Sequence, residues 1–403
     1  MGSAPAIIGR ARIVMAGEFQ NELKEELSGL DTAGLRRTLR IVSGPQQTRI
    51  QLDGSDVLHF SSNDYLGLAN HPSLKTAAIS AIEQHGAGAG AARLISGSQS
   101  PSHQLEAALA VFKNAEAALA FSSGYTAAIG VLPALAGAGD MIVIDKLVHA
   151  SLVDAAKLSG AKLRVFRHND LTHLDEILKQ STGEFRRVWI VAESVYSMDG
   201  DLAPLLNLVD LKDAHGANLL LDEAHATGLY GKGRRGLAEE FGVADRVELQ
   251  MGTLGKALGA AGGFVCGSAD LIEVLRHRAR SFMFSTAPVP AQTAAALAGL
   301  EIVESEEGEE RRTRLWQRVD EMKNGLIARG WKLPAVRSAM VPLMVGGERE
   351  AVALSERLLE ANVFVPAIRY PTVAKGAARL RLTLSADHTP ADIEELLEAL
   401  GDA

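Results

Sequence analysis

One cysteine, Cys266, occurs in 403 residues. An internal disulfide needs two thiols and a thiolate zinc site needs several, so neither framework can form within one copy. Such usage fits a reducing compartment, and a cytoplasmic location is expected. Apolar residues make up 47% of the chain, yet no run approaches bilayer-spanning length, so no membrane partner is expected. Basic residues are too few for a general polyanion binder. The formal net charge is −8, and no nucleic-acid partner is expected. RHRAR at 276–280 is the main local exception and reads as a solvated helix face. The opening MGSAPAIIGRARIVMAGEF lacks the sustained apolar core of a secretion signal and the sixth-position Ser or Thr of a myristoylation signal. Met15 is an alternative start of translation.

What the chain does have is a rhythm. AALAFS (117–122), MIVID (141–145), LRVF (163–166), VWIVAE (188–193), NLLLDE (218–223) and GGFVCG (262–267) read as buried strands, and VELQMG before residue 253 as another. Their continuous hydrophobicity predicts a mainly parallel sheet covered on both faces. Helices are expected between them, for instance over 125–136, 150–158 and 204–215. Ligands then belong at the carboxyl ends of the strands. Beyond about residue 300 the texture turns to charged amphipathic helix. Strands at 340–346 and 378–385 flank a helix at 350–361, and a final helix follows: a small α+β unit. The expected division is an N-terminal extension and helix (1–60), a large α/β domain (61–300) and a small C-terminal domain (301–403).

Two glycine-rich stretches imitate nucleotide sites. GAGAGAARLISG (86–97) follows a helix-like segment where a dinucleotide fingerprint requires a strand, so it reads as a loop. GTLGKALG (252–259) has the wrong glycine spacing for a Walker loop, and Ala257 stands where magnesium would need a hydroxyl. Its Lys256 could cradle a phosphate, carry a covalent cofactor or be solvated.

The company it keeps decides. LLLDEAHATG (219–228) sets Asp222 at a strand end with His225 shortly after. That could be a metal pair or a structural pair, but no further cluster supplies metal-site spacing, and no metal is expected. Asp222 could instead face a protonated heteroaromatic nitrogen. Lys256, buried at the same end of the sheet, would have a depressed pKa and serve as a nucleophile. FSSGYTAA (121–128) makes a strand, a turn and a helix N-terminus suited to a phosphate, and Thr253 adds a hydroxyl. His149 follows another strand and could stack on an aromatic ring. Anion cradle, ring stack, pyridinium partner and nucleophilic lysine together specify pyridoxal 5′-phosphate.

SNDYLGL (62–68), HNDLTHL (168–174), ESVYSMDGDLAPL (193–205), DEAHATGLYGKGRRG (222–236) and GTLGKALGAAGG (252–263) resemble the α-oxoamine synthases, from about residue 20 to the C-terminus. These are pyridoxal-phosphate-dependent acyltransferases of aminotransferase fold type I. The resemblance implies that Lys256 holds the cofactor aldehyde and that Asp222 pairs with the pyridine nitrogen. It implies that His149 stacks on the ring and faces substrate, with His225 and Ser197 around the phenolate oxygen. Gly124, Tyr125 and Thr253 would line the site near the phosphate. It further implies a homodimer with sites at the interface, where Thr286 of FSTA (284–287) reaches the partner's phosphate.

Within the family, AIRYPTVAKGAARLRLTLSADHT (367–389) is similar to the branch that joins L-alanine to pimeloyl-CoA or pimeloyl-acyl carrier protein, losing carbon dioxide on the way to biotin. Tyr370 and Ala374-Lys375 depart from that pattern. Carried over, Thr372 contacts the acyl group, Arg381 holds the amino-acid carboxylate, and Asn63 and Arg36 help form the substrate site. An arginine alternating with apolar residues along a strand suits bidentate carboxylate binding. For Arg36 a solvated helix face is the competing reading. Rival readings are the branch using glycine and acetyl-CoA (glycine C-acetyltransferase), a non-catalytic cofactor-binding protein, and a Rossmann oxidoreductase that leaves Lys256 unexplained.

Overall fold

The computed structural model describes residues 17–334 and 337–403, so Met15 lies outside the described residues. Short strands β1 (Val42–Ser43), β2 (Arg49–Leu52) and β3 (Ser55–His59) come first. They are followed by β4 (Ala117–Phe121), β5 (Met141–Asp145), β6 (Lys162–Phe166), β7 (Val188–Glu193), β8 (Asn218–Asp222), β9 (Leu249–Thr253) and β10 (Gly263–Gly267). These last seven form the central sheet, in the order β4-β10-β9-β8-β7-β5-β6. The β5–β6, β5–β7, β7–β8 and β8–β9 pairs are parallel, and β10 is antiparallel to both β4 and β9. The expected mainly parallel α/β sheet is therefore present.

Both faces of the sheet are covered, which explains the absence of alternation. Leu219 and Leu221 of β8 enter one core cluster while Leu220 enters the other. Met141 and Val143 of β5 divide from Ile142 and Ile144 in the same way. One expected buried strand needs correcting. β6 is the sheet edge, and of its residues only Phe166 is buried, because Lys162 and Arg164 keep their charges in solvent. The helices expected at 125–136, 150–158 and 204–215 occur as Gly124–Leu135, Ala150–Leu158 and Leu205–Ala214. The glycine-rich 86–97 stretch has no preceding strand: Gly86, at φ 81, ends the helix Pro72–His85, and Arg93–Gly97 winds as a π-helical turn.

Downstream lie β11 (Met340–Gly346), β12 (Val363–Phe364), β13 (Ala367–Ile368) and β14 (Ala378–Thr383), with the helix Glu348–Glu360 between β11 and β12. β11, β14 and β13 make a three-stranded antiparallel sheet. β12 instead pairs in parallel with β3, completing a sheet β1-β2-β3-β12 between the two ends of the chain. The segment after β3 then runs beside β14. Thr383 N donates to Phe60 O and Ala386 N to Tyr65 O, each at 2.8 Å. That route delivers Asn63 and Tyr65 to the carboxyl ends of the central strands. No described helix is long and apolar enough to cross a membrane.

Candidate active site

β7, β8 and β9 end at Glu193, Asp222 and Thr253, and the parallel register brings these ends together. A cavity of about 190 Å³ opens there, lined by Lys256, His225 and His149 as well as Glu193, Asp222 and Thr253. Gly124 and Tyr125, the first residues of the helix after β4, close one side.

Lys256 Nζ lies 2.7 Å from His225 Nε2. Burial lowers the lysine to about 8, helped by Arg381 and opposed by Asp222 and Glu193. A free amine is therefore accessible near neutral pH. Burial also drives His225 well below its ordinary value, with Lys256 and Arg381 adding repulsion, so the ring is neutral. Asp222 is raised by burial and opposed by Lys256, while its Oδ1 accepts from Ala224 N at 2.9 Å. Glu193 was not singled out from sequence. Burial and then Asp222 push it to about 8, against Lys256 and the backbone N–H groups of His149 and Ser197. Its only signal was a carboxylate closing the apolar run VWIVAE.

The residue set fits a phosphorylated pyridine aldehyde. Ser123 caps the helix Gly124–Leu135 through a reciprocal bond with Thr126, which leaves the Gly124 and Tyr125 N–H groups without acceptors among the described residues. Unspent donors at a helix N-terminus suit a phosphate. Thr253 Oγ1 currently donates to Gly262 O at 3.0 Å and would have to turn to join them. Gly263 keeps the cradle open, since a Cβ there would lie 2.5 Å from Ser123 O. His149 is fixed through Nδ1 to Ser151 Oγ at 2.8 Å and is lowered by burial, giving a neutral ring at the cavity wall. Across the cavity, Asp222 suits a pyridinium N–H, because a cationic partner offsets the cost of burying its charge. Among the described residues, no group of three or more His, Cys, Asp or Glu could hold a metal ion.

Arg381 on β14 is 8% exposed, and its Nη2 donates to Asn63 Oδ1 at 3.0 Å. Its buried Nε has no acceptor, an open donor of the kind a carboxylate satisfies. Tyr65, unnoticed in sequence although it stands inside SNDYLGL, joins Asn63 to His225. Ser197 is buried next to the cavity, but other residues form the lining. Three expected residues lie elsewhere in the single chain. Arg36 is exposed and paired with Asp31 at 2.6 Å. Thr372 sits in an exposed turn, its N–H donating to Arg369 O at 3.0 Å. Thr286 bridges to Ala92 at a separate small cavity beside Arg93.

A profile described as Aminotransferase class I and II matches residues 55–400. The chain is 47% identical over 376 residues to 8-amino-7-oxononanoate synthase of Geotalea daltonii, covering 93% of this chain and 96% of that protein. The chain belongs to the α-oxoamine synthases, within aminotransferase class I and II. Solved α-oxoamine synthases superpose over most of its length. Serine palmitoyltransferase from S. paucimobilis, with a bound PLP–myriocin aldimine, gives a TM-score of 0.90 at 30% identity, covering 96% of this chain and 98% of that one. 8-Amino-7-oxononanoate synthase from Francisella tularensis gives 0.74 at 30% identity, covering 85% and 96%. The group for which the cavity is suited, pyridoxal 5′-phosphate, is the cofactor of this family.

Proposed function

We propose that the protein condenses L-alanine with a pimeloyl thioester, carried on coenzyme A or on an acyl carrier protein. The products are 8-amino-7-oxononanoate, an early biotin precursor, carbon dioxide and the free thiol. The observation that carries this reading is the Lys256 amine, brought to about 8 by burial beside Asp222 and His225. The choice of substrates is supported by relatives of that name at 41–47% identity over most of the chain.

When bound, pyridoxal phosphate supplies an aldehyde that captures amines and a ring that draws electrons from the adjoining carbon. Lys256 would hold the aldehyde, Asp222 the proton of the ring nitrogen, and His149 the ring face. His225 and Ser197 would serve the phenolic oxygen, and Gly124, Tyr125 and Thr253 the phosphate. Arg381, with Asn63 orienting it, holds the alanine carboxylate until it leaves as carbon dioxide. Lys256 Nζ takes the alanine α-proton and later returns a proton to the product carbon; an amine near 8 can do both at neutral pH. Arg36 and Thr372 would form the outer rim for the acyl group. Arg369 links the two, donating to Arg36 O at 3.2 Å while its own carbonyl accepts from Thr372 N.

The active unit in this reading is a cytoplasmic homodimer in which Thr286 reaches the partner's phosphate. Exposed Leu94, Ile95 and Phe284, close in sequence to the bridged Ala92 and Thr286, support a covered face there. The test is a product assay with paired substrates. Alanine with a pimeloyl thioester is expected to give the C–C-bonded product. Preference for glycine with acetyl-CoA would move the chain to the acetyltransferase branch, and no product from any pair would leave a non-catalytic binder.

A further inference from the structure

A chain of hydrogen bonds leads from the Lys256 amine to the Arg381 guanidinium, and Tyr65 stands at its centre. Lys256 Nζ is 2.7 Å from His225 Nε2, and His225 Nδ1 is 2.6 Å from the Tyr65 hydroxyl. That hydroxyl is 3.2 Å from Asn63 Oδ1, which also accepts from Arg381 Nη2 at 3.0 Å. Tyr65 is 1% exposed, so bulk solvent does not reach its hydroxyl.

We infer that, in the cofactor-free chain, Tyr65 is a positioning residue whose hydroxyl sets which nitrogen of His225 carries the proton, coupling the charge on Lys256 to the Asn63–Arg381 pair. This rests on the reading that Lys256 and Arg381 act on the substrate.

The donor count fixes one end of this coupling and permits the other. A neutral imidazole has one N–H and one bare nitrogen, and a phenol has one proton with room to accept. When Lys256 is an ammonium it donates to Nε2. Nδ1 then carries the proton and donates to Tyr65, whose own O–H turns to Asn63. When Lys256 is a free amine its lone pair can accept, which frees Nε2 to carry the proton and point it at Nζ. Nδ1 is then bare and takes the Tyr65 O–H, leaving Asn63 Oδ1 to Arg381 alone. Between the two states one proton goes to solvent, and His225 and Tyr65 both end neutral. Burial holds Tyr65 up at about 12 and His225 well below its ordinary value, so neither ionises where Lys256 does. Besides His225, Lys256 faces Asp222, Glu193 and Arg381, and Tyr65 faces Arg381 and Glu193. His225 also faces His149. Glu193 titrates in the same range as Lys256, so a Glu193→Gln background separates its contribution.

The test uses the cofactor-free full chain with ¹⁵N-labelled histidine, followed by NMR from below to above pH 8, with His225 assigned by the signals lost in His225→Gln. The Nδ1–H pattern of His225 is expected to invert to Nε2–H with a midpoint near that of Lys256, at about 8. In Tyr65→Phe the Nδ1–H form has no acceptor. The ring should then stay Nε2–H throughout, and the Lys256 titration should fall by about one unit. A single His225 tautomer across the whole range in the unmodified protein would overturn the inference. So would a Tyr65→Phe titration matching the unmodified one. If Tyr65→Phe does not fold, the unmodified titration alone decides. The product assay and this titration use different protein states, so failure of the substrate reading and failure of the coupling are told apart.

Discussion

The Lys256 amine lies 2.7 Å from His225 Nε2, and the two residues reach that contact from neighbouring parallel strands. Each stands three residues beyond its strand end, at Asp222 and Thr253 respectively. Asp222 pairs with Met251, so β9 runs two residues farther than β8, and the turns that follow the two strands bring the side chains together. Lys256→Ala is therefore expected to lose covalently held pyridoxal phosphate absorbance after gel filtration. Condensation should fall by on the order of 10²–10⁴ or more. A variant that kept both would remove Lys256 from the chemistry.

Arg381 makes a directional contact that a lysine cannot copy, because the guanidinium spends Nη2 on Asn63 and keeps Nε free. Both Arg381→Lys and Arg381→Ala should raise KM for alanine by about 10- to 100-fold, with a smaller change for the thioester. Steady-state kinetics with each substrate varied in turn checks this. Equal effects on both substrates would argue against a carboxylate contact.

Gly263 is a test of the phosphate cradle, since its missing Cβ leaves room for the turn at Ser123 and Gly124. Gly263→Ala should push that turn outward and weaken pyridoxal phosphate binding by about 10-fold or more. Fluorescence titration of the cofactor-free protein reads the change, and unaltered affinity would place the phosphate elsewhere.

Glu193 is held at about 8 by burial, above the 4.5 of an ordinary glutamate. The folded chain thus binds an extra proton between those values, and this group's contribution to stability falls as pH rises through that window. Glu193→Gln mimics the protonated side chain. It should flatten that part of the stability–pH curve and change activity at pH 7 by less than about 3-fold. Chemical denaturation at several pH values, beside a pH 7 rate, is the measurement.

His168 shows the opposite balance. Burial would lower it, but bonds to Asp145 at 2.9 Å and Asp201 at 2.8 Å raise it to about 10, from an ordinary 6.5. Its stabilisation is fully present below 6.5 and is lost as pH rises through about 10. His168→Gln should therefore cost about 2 kcal/mol at pH 7, with the gap narrowing toward pH 10. Thermal unfolding at both ends of the window reads it; a gap independent of pH would mean the ring is not charged.

Residue type and position along the chain determined a large share of this. Six of the seven apolar runs without alternation are strands buried on both faces, the edge strand β6 being the exception. The mainly parallel sheet was therefore legible from the pattern of the sequence. Once those strands are parallel, Lys256, Asp222, His225 and His149 must gather at one edge, because each follows a strand in the same direction. The tertiary structure decided what has no local signature. β12 has two residues, too few for any period, and only its pairing with β3 brings the N-terminal segment against β14. That route carries Tyr65 and Asn63 to His225 and Arg381, and no spacing rule links positions so far apart. Edge or centre, as for β6, depends on which strand comes next in space. The pKa values of Glu193 and Lys256 depend on how much water their neighbours exclude, which is a property of packing in three dimensions.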